Sequence, residues 1–201
     1  MNTLRRRVIA GVALVACAAP LGVAQAQNAA GDEVNRAVAT TEQDGGRAFD
    51  FSWSLLRQRG GVVNQQNVAN SAARCTGCRA TAIAFQIVLA SRDATLGQPH
   101  NQAVAISDQC TDCVVYSGAG QFIRIVTNGT PEFTDAGRAT LADVRNDLRA
   151  LEEQDLAIDA LDAEVEAQKA RVVKVLTDEV VVASGAEATF RTRANRFADD
   201  R

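Results

Sequence analysis

The chain has 201 residues, of which 21 are basic and 24 acidic, so its formal net charge at pH 7 is −3. This acidic balance excludes a general nucleic-acid-binding surface, which requires a basic stripe. The length is sufficient for one domain with its own hydrophobic core.

The first 26 residues have the order of a secretory signal peptide. Three arginines at residues 5–7 precede an apolar run over residues 8–23, and Ala24-Gln25-Ala26 provides a cleavage site of small residues. We therefore expect a secreted protein whose mature chain begins near Gln27. Removal of this leader takes three basic and no acidic residues, which changes the net charge from −3 to −6. Neither the leader nor any later stretch matches a membrane span of about 20 apolar residues, so we expect no transmembrane span after cleavage.

Cys17 suggests an alternative in which the exported chain is lipidated. Leu14-Val15-Ala16-Cys17 has the small-residue pattern that precedes the lipidated cysteine of lipoproteins, and a lipid there would anchor the chain at the outer face of the membrane. Residues 18–24 stay apolar, however, whereas the segment after a lipid anchor is usually polar. Secretion is therefore the leading expectation. Residues 27–34 would then form a short linker to a single α+β domain over residues 35–184.

An Asn-x-Ala motif recurs at Asn35, Asn67 and Asn101, at intervals of 32 and 34 residues, and indicates a threefold internal repeat. Each copy precedes a turn signal, which is Gln43-Asp44-Gly45-Gly46 in the first unit and a Cys-x-x-Cys motif in the other two. Asp-Gly between two extended runs is typical of a β-hairpin turn, because glycine tolerates positive φ. We therefore expect three β-hairpins. Their ranges are residues 35–57, 67–90 and 101–126.

The run after each turn has the pattern of a β-strand. Residues 49–55 alternate between apolar and polar, and residues 79–90 are apolar almost throughout. A helix is the alternative for residues 79–90, but the equivalent run over residues 114–126 contains Gly118 and Gly120, which disfavour a helix. The predicted fold is α+β, with the hairpins in a mainly antiparallel six-stranded sheet.

From residue 135 the apolar residues have helical spacing, and the phase of that spacing slips between Leu151 and Ile158. One helix over residues 135–177 would be about 65 Å long, twice the width of a six-stranded sheet. We therefore expect two amphipathic helices that back the sheet, with one long helix as the alternative. Their apolar faces could also pair two copies of the chain in a homo-oligomer. Residues 185–201 have the composition of a disordered polar tail.

Four cysteines occupy the turns of the second and third units: Cys75, Cys78, Cys110 and Cys113. Exported thiols are usually oxidised, so structural disulfides among these four are the leading expectation, with their connectivity open. Two Cys-x-x-Cys turns on adjacent units are also the layout of a zinc ribbon, in which all four thiolates would bind Zn²⁺. Catalytic thiol–disulfide exchange is a third alternative, and it requires an exposed sulfur with a depressed pKa.

The remaining sequence offers no catalytic motif. His100 is the single histidine and follows Pro99 in a linker, where we expect it to be exposed, and no zinc-protease, serine-hydrolase or phosphate-loop motif is present. We therefore expect a non-enzymatic binding or accessory domain without a cofactor, acting on a protein or cell-envelope partner. A structural zinc site and a redox protein are the alternatives.

The repeated units resemble a family of uncharacterised exported actinobacterial domains with repeated Cys-x-x-Cys hairpins. The resemblance lies in Asn67 through Leu89, Asn101 through Val126, and Phe133-Thr134 onward. Members of that family occur alone or appended to proteins named as peptide zinc metalloproteases. The resemblance implies a repeat-built exported domain. It does not imply a peptidase, because this chain has no room for a peptidase core and no metal-binding histidine pair.

Overall fold

This computed structural model describes residues 33–127 and 129–182 in full and residues 188–200 by their backbone. The expected signal peptide over residues 1–26, Cys17 and most of the linker lie outside the described residues. The described strands are β1 (Val34–Thr41), β2 (Arg47–Gln58), β3 (Gly61–Val63), β4 (Gln66–Ala73), β5 (Arg79–Ala90), β6 (Ala94–Leu96), β7 (His100–Ser107), β8 (Val114–Val126), β9 (Pro131–Phe133), β10 (Val180–Val182) and β11 (Ala188–Asp200). The helices are α1 (Asp135–Ala150) and α2 (Ile158–Asp178).

Equivalent strands of the three units pair with one another in parallel. Sheet A has the order β1-β4-β7, sheet B contains β2, β5 and β8 side by side, and β3 pairs with β6 in a small sheet C. Each unit is therefore one coil of a short parallel β-solenoid, in which the chain passes through sheet A, then sheet B, then sheet C. The solenoid coils correspond to the sequence repeats, because Asn35, Asn67 and Asn101 lie at the same register position.

The prediction of a mainly antiparallel six-stranded sheet of β-hairpins is wrong. The two long strands of each unit lie in different sheets, and the turn between them bonds to the next coil. The amide of Gly45 donates to the carbonyl of Thr76 at 2.8 Å, and that of Gly77 donates to Thr111 at 2.8 Å. Gly45 does have positive φ, at 67°, so the Asp-Gly signal located a turn correctly without defining how the flanking strands pair.

The space between sheets A and B is narrow and filled mainly by small side chains. Alanines from both sheets form one buried cluster, which contains Ala37, Ala39, Ala69, Ala82, Ala84 and Ala119. Beside them runs a ladder of asparagines: Asn35 Nδ2 donates to Asn67 Oδ1 at 2.7 Å, and Asn67 Nδ2 donates to Asn101 Oδ1 at 2.7 Å. Two glutamine amides also stack in sheet B, where Gln121 Nε2 donates to Gln86 Oε1 at 2.8 Å. Hydrogen bonding along the stack satisfies the buried asparagine amides, whereas Gln86 Nε2 and Gln121 Oε1 have no hydrogen-bond partner among the described residues.

The main hydrophobic core lies on the other side of sheet B, under the two helices. Large side chains of β5 and β8, such as Phe85 and Phe122, pack there against the apolar face of both helices, including Val144 and Val165. Trp53 of β2 stacks on Phe85 with ring centroids 6.1 Å apart. The apolar faces of the two helices, which the sequence offered as a contact between two copies of the chain, are thus packed against sheet B of the same chain.

The prediction of two helices rather than one agrees with the structure. Helix α1 starts at Thr134, whose hydroxyl accepts from the amide of Gly137 at 3.0 Å, and a 3-10 turn at Leu151–Glu153 follows it. Asp155, in the turn that leads to α2, forms ion pairs with Arg47 at 2.7 Å and Arg79 at 3.1 Å. These pairs tie the break between the helices to the first residues of β2 and β5.

The two ends of the solenoid differ. Strand β11 lies antiparallel to β8 and extends sheet B by one strand beyond the third coil, whereas the sequence suggested a polar tail for this segment. At the first coil, Asp50 Oδ2 accepts from the edge amide of Val38 at 2.7 Å. A charged side chain that occupies an edge amide disfavours pairing with a further strand there. Among the described residues, no helix is both long and apolar enough to cross a membrane.

Candidate cysteine centre and sheet A face

The four cysteines of the expected site lie together, in the turns that link sheet A to sheet B. Cys75 and Cys78 lie between β4 and β5, and Cys110 and Cys113 lie between β7 and β8. A parallel bridge between Thr76 and Thr111 stacks the two Cys-x-x-Cys turns. Sequence reasoning placed these cysteines at hairpin tips, whereas they lie in the turns between two different sheets.

The third unit has one more residue than the second unit ahead of its cysteine turn. Ala73 pairs with Ser107, whereas Thr76 pairs with Thr111, so the spacing changes within this loop. Gln109 has φ 52° and Asp112 has φ 55°, both in the left-handed region. Gly45 and Gly77 have positive φ at the position equivalent to Asp112, so the left-handed Gln109 is the feature that is particular to the third unit.

The sulfur atoms form one cluster. Cys75 and Cys78 are joined by a disulfide with a Cα–Cα separation of 6.0 Å, which is within the usual range. Cys110 and Cys113 are free thiols. The Sγ atoms of Cys78, Cys110 and Cys113 all lie within 4.8 Å of one another. One expected bridge is thus present, and the other two cysteines lie beside it.

Both free thiols are held by the backbone of the preceding coil. Cys113 Sγ donates to the carbonyl of Cys75 at 3.0 Å, and Cys110 Sγ donates to the carbonyl of Ala73 at 3.3 Å. Cys113 is fully buried, and Cys110 is partly exposed. The cluster therefore has one buried side, formed by the solenoid interior, and one side open to solvent at Cys110.

The electrostatic surroundings do not activate the partly exposed thiol. Burial raises the pKa of the Cys110 thiol above its ordinary value, and its hydrogen bond with Cys113 raises it further. The two arginines next to the cysteines in sequence are paired with carboxylates, Arg74 with Asp108 at 3.5 Å and Arg79 with Asp155 at 3.1 Å. A thiol-exchange catalyst needs a depressed pKa, and the pKa of Cys110 is shifted in the opposite direction.

A second candidate region is the outward face of sheet A, which the sequence analysis did not identify. Alternate residues of β1 are buried, so Val34, Arg36, Val38 and Thr40 point outward. With their register partners on the next two strands they form a grid of twelve positions. The partners are Gln66, Val68, Asn70 and Ala72 on β4, and His100, Gln102, Val104 and Ile106 on β7.

This sheet A face is partly apolar and contains no acidic residue. Val34, Val38 and Ile106 are 46%, 43% and 53% exposed, although all are large hydrophobic residues. Arg36 is the only lysine or arginine among the twelve. His100 is exposed, as expected, at one corner of the face, where it begins β7. The period-two alternation of β1 was the sequence signal for this face, but without the sheet order it could not be assembled.

We compared the chain with known proteins by sequence and by fold. No protein-family model, curated protein or solved structure matches it.

Proposed function

We propose that this chain is an exported, non-enzymatic binding domain, in which a disulfide-containing β-solenoid presents the sheet A face to a protein partner. The observation that carries this proposal is the contrast between the two long sheets. Helices α1 and α2 cover most of the outward face of sheet B, where Leu55 of β2 is 38% exposed, whereas the sheet A face leaves three large hydrophobic side chains exposed. Exposed apolar groups clustered on one face are typical of an interaction site.

The dimensions of the sheet A face favour an extended segment over a globular surface. Its twelve positions span about 20 Å along the strands and about 10 Å across them. A stable interface between folded proteins buries about 800 Å² per partner, several times the area of this grid. One extended peptide of about seven residues, by contrast, matches the length of the face.

The charges of the face favour a carboxylate on that peptide. Arg36 lies between exposed Val34 and Val38 on the same strand, and the twelve positions include no acidic residue. An apolar extended segment with one acidic residue would pair its carboxylate with Arg36 and pack its apolar side chains on the valines. We therefore propose such a segment of a cell-envelope or secreted protein as the occupant.

The test uses seven-residue peptides of alternating Val and Thr that carry either a single Glu or a single Lys. We expect the purified domain to bind the Glu peptides more tightly, as measured by fluorescence anisotropy. Val38→Glu should weaken that binding at least about tenfold, because it places a carboxylate on the apolar face. Arg36→Glu should reverse the preference toward the Lys peptides.

Ala142→Glu is the matched control, because it adds the same charge at an exposed position of α1, away from sheet A. It should leave peptide binding unchanged. Equal binding of Glu and Lys peptides, or unchanged binding by Val38→Glu, would refute the sheet A face as the binding surface.

A further inference from the structure

We propose that the cysteine centre is a redox-gated binding site for a soft metal ion, with Zn²⁺ as the probe. In the form described here the Cys75–Cys78 bridge is closed. When that bridge is reduced, Cys75, Cys78, Cys110 and Cys113 provide four thiolates around one metal ion. This site is separate from the sheet A face and does not depend on the peptide-binding proposal.

The geometry of the cluster fits a four-sulfur site. Tetrahedral Zn²⁺ binds thiolates at about 2.3 Å, which places the sulfurs about 3.8 Å from one another. The Sγ atoms of Cys78, Cys110 and Cys113 are already within 4.8 Å of one another, and Cys75 is bonded to Cys78. A contraction of up to about 1 Å in the three-sulfur set, together with separation of the Cys75 and Cys78 sulfurs once their bond is reduced, would give this spacing.

The solenoid holds the ligands in place from both sides. The Thr76–Thr111 bridge fixes the spacing between the two turns, and Asp44 Oδ1 accepts from the amide of Thr76 at 2.7 Å on the side of the first coil. Cys113 is fully buried, while Cys110 is partly exposed. The ion would therefore enter past Cys110 and be enclosed by the turns.

Burial also favours a cation once the thiols ionise. Several thiolates close together in a partly buried site repel one another. A divalent cation compensates these charges, and thiolate ligands select soft metals over hard ones. Metal binding would therefore displace the sulfur-bound protons into solvent.

Gating consists of reversible reduction of the Cys75–Cys78 disulfide, followed by metal binding. A dithiol reductant transfers two electrons and two protons to the Cys75–Cys78 bond, which becomes two thiols, and the reductant becomes a disulfide. Zn²⁺ then replaces the protons of the four thiols. In the reverse direction a disulfide oxidant accepts two electrons from the Cys75 and Cys78 thiolates and two protons from solvent and becomes a dithiol. The Cys75–Cys78 bond forms again, Cys110 and Cys113 each take up a proton from solvent, and Zn²⁺ is released.

The experiment titrates Co²⁺ and then Zn²⁺ into the chain after reduction with a dithiol and removal of the reductant without oxygen. We expect thiolate-to-metal absorption bands and tetrahedral Co²⁺ bands that saturate at one equivalent and disappear when Zn²⁺ is added. The unreduced chain should bind at least about tenfold more weakly, because two of the four ligands are joined in the disulfide.

Cys113→Ser and Cys110→Ser should each abolish the four-thiolate spectrum. Thr95→Ala, at an exposed position of β6 away from the cysteine turns, should preserve it. Far-ultraviolet circular dichroism of each variant would verify that the solenoid is folded. Cys110→Ser provides the test if Cys113→Ser unfolds, because Cys110 is the more exposed of the two. The proposal fails if the reduced chain gives no cobalt spectrum, if either serine variant retains it, or if the unreduced chain binds equally tightly.

Discussion

Asn67 occupies the centre of the asparagine ladder and is fully buried. Its Nδ2 atom lies 2.7 Å from Asn101 Oδ1 and 3.0 Å from the carbonyl oxygen of Ala84, and its Oδ1 atom accepts from Asn35 at 2.7 Å. The side chain thus connects all three coils and both long sheets. Loss of such a group leaves several buried partners without a hydrogen bond, at about 1–3 kcal/mol each.

We expect Asn67→Ala to lower the free energy of unfolding by about 3 kcal/mol, measured by urea denaturation with Trp53 fluorescence. Asn70→Ala on the same strand is the control, because Asn70 lies on the outward face and is partly exposed. Its effect should stay within about 0.5 kcal/mol. Similar losses in the two variants would show that the ladder does not stabilise the solenoid.

The same asparagines show what a sequence can and cannot specify at single positions. Their recurrence identified the repeat, but recurrence alone does not say whether equivalent residues stack. In a parallel solenoid, identical amides at one register position hydrogen-bond along the stack, as Asn35 and Asn67 do. The clustering of the cysteines also followed from the repeat. The spacing left open which sulfurs are bonded, and in the structure Cys75 is bonded to Cys78.

At the level of the elements, Gly118 lets helix α2 lie close to sheet B. A Cβ atom at this position would lie 3.1 Å from Tyr116 Cε1 and 3.2 Å from Val165 Cγ1. The glycine that made this run a poor helix candidate thus has a packing role in β8. A larger side chain would have to displace Tyr116 or the helix.

We expect Gly118→Val to destabilise the fold by about 2 kcal/mol, the usual cost of overpacking a core. Combining it with Val165→Ala should cost less than the sum of the two single variants, because the smaller helix residue leaves room for the new methyl groups. Urea denaturation of the three variants measures this coupling. Additive effects would indicate that Gly118 does not control the approach of α2.

The direction of the strands is the part of the fold that the sequence analysis got wrong, and β5 carried a signal for the correct answer. This strand is apolar over most of its length, and eleven of its twelve residues, from Ala80 to Ala90, are fully or almost fully buried. Strands buried on both faces are typical of parallel sheets covered on either side. The Asp-Gly turn outweighed that signal because it is a strong local hairpin marker. The helix break was easier to predict, since it depends only on the local phase of apolar residues.

For the whole molecule, the proposed function requires that the chain leave the cell and lose its leader. The two free thiols and the disulfide are compatible with more than one redox environment, so the cysteines do not establish export. Export is expected from the first 26 residues, which have an arginine triplet, an apolar run and Ala24-Gln25-Ala26. Cleavage after Ala26 would leave the acidic solenoid domain with a net charge of −6 instead of −3.

We expect the intact mass of the protein recovered from outside its native host cells to correspond to a chain that begins at Gln27. A signal peptidase requires small residues at the cleavage site, so Ala24→Leu combined with Ala26→Leu should prevent this processing, whereas Cys17→Ala should not affect it. The disulfide makes the mass two hydrogen atoms smaller than that of the fully reduced chain, which reduction before a second measurement would reveal. A mass that includes a lipid on Cys17, with loss of processing in Cys17→Ala, would instead establish a lipid-anchored protein.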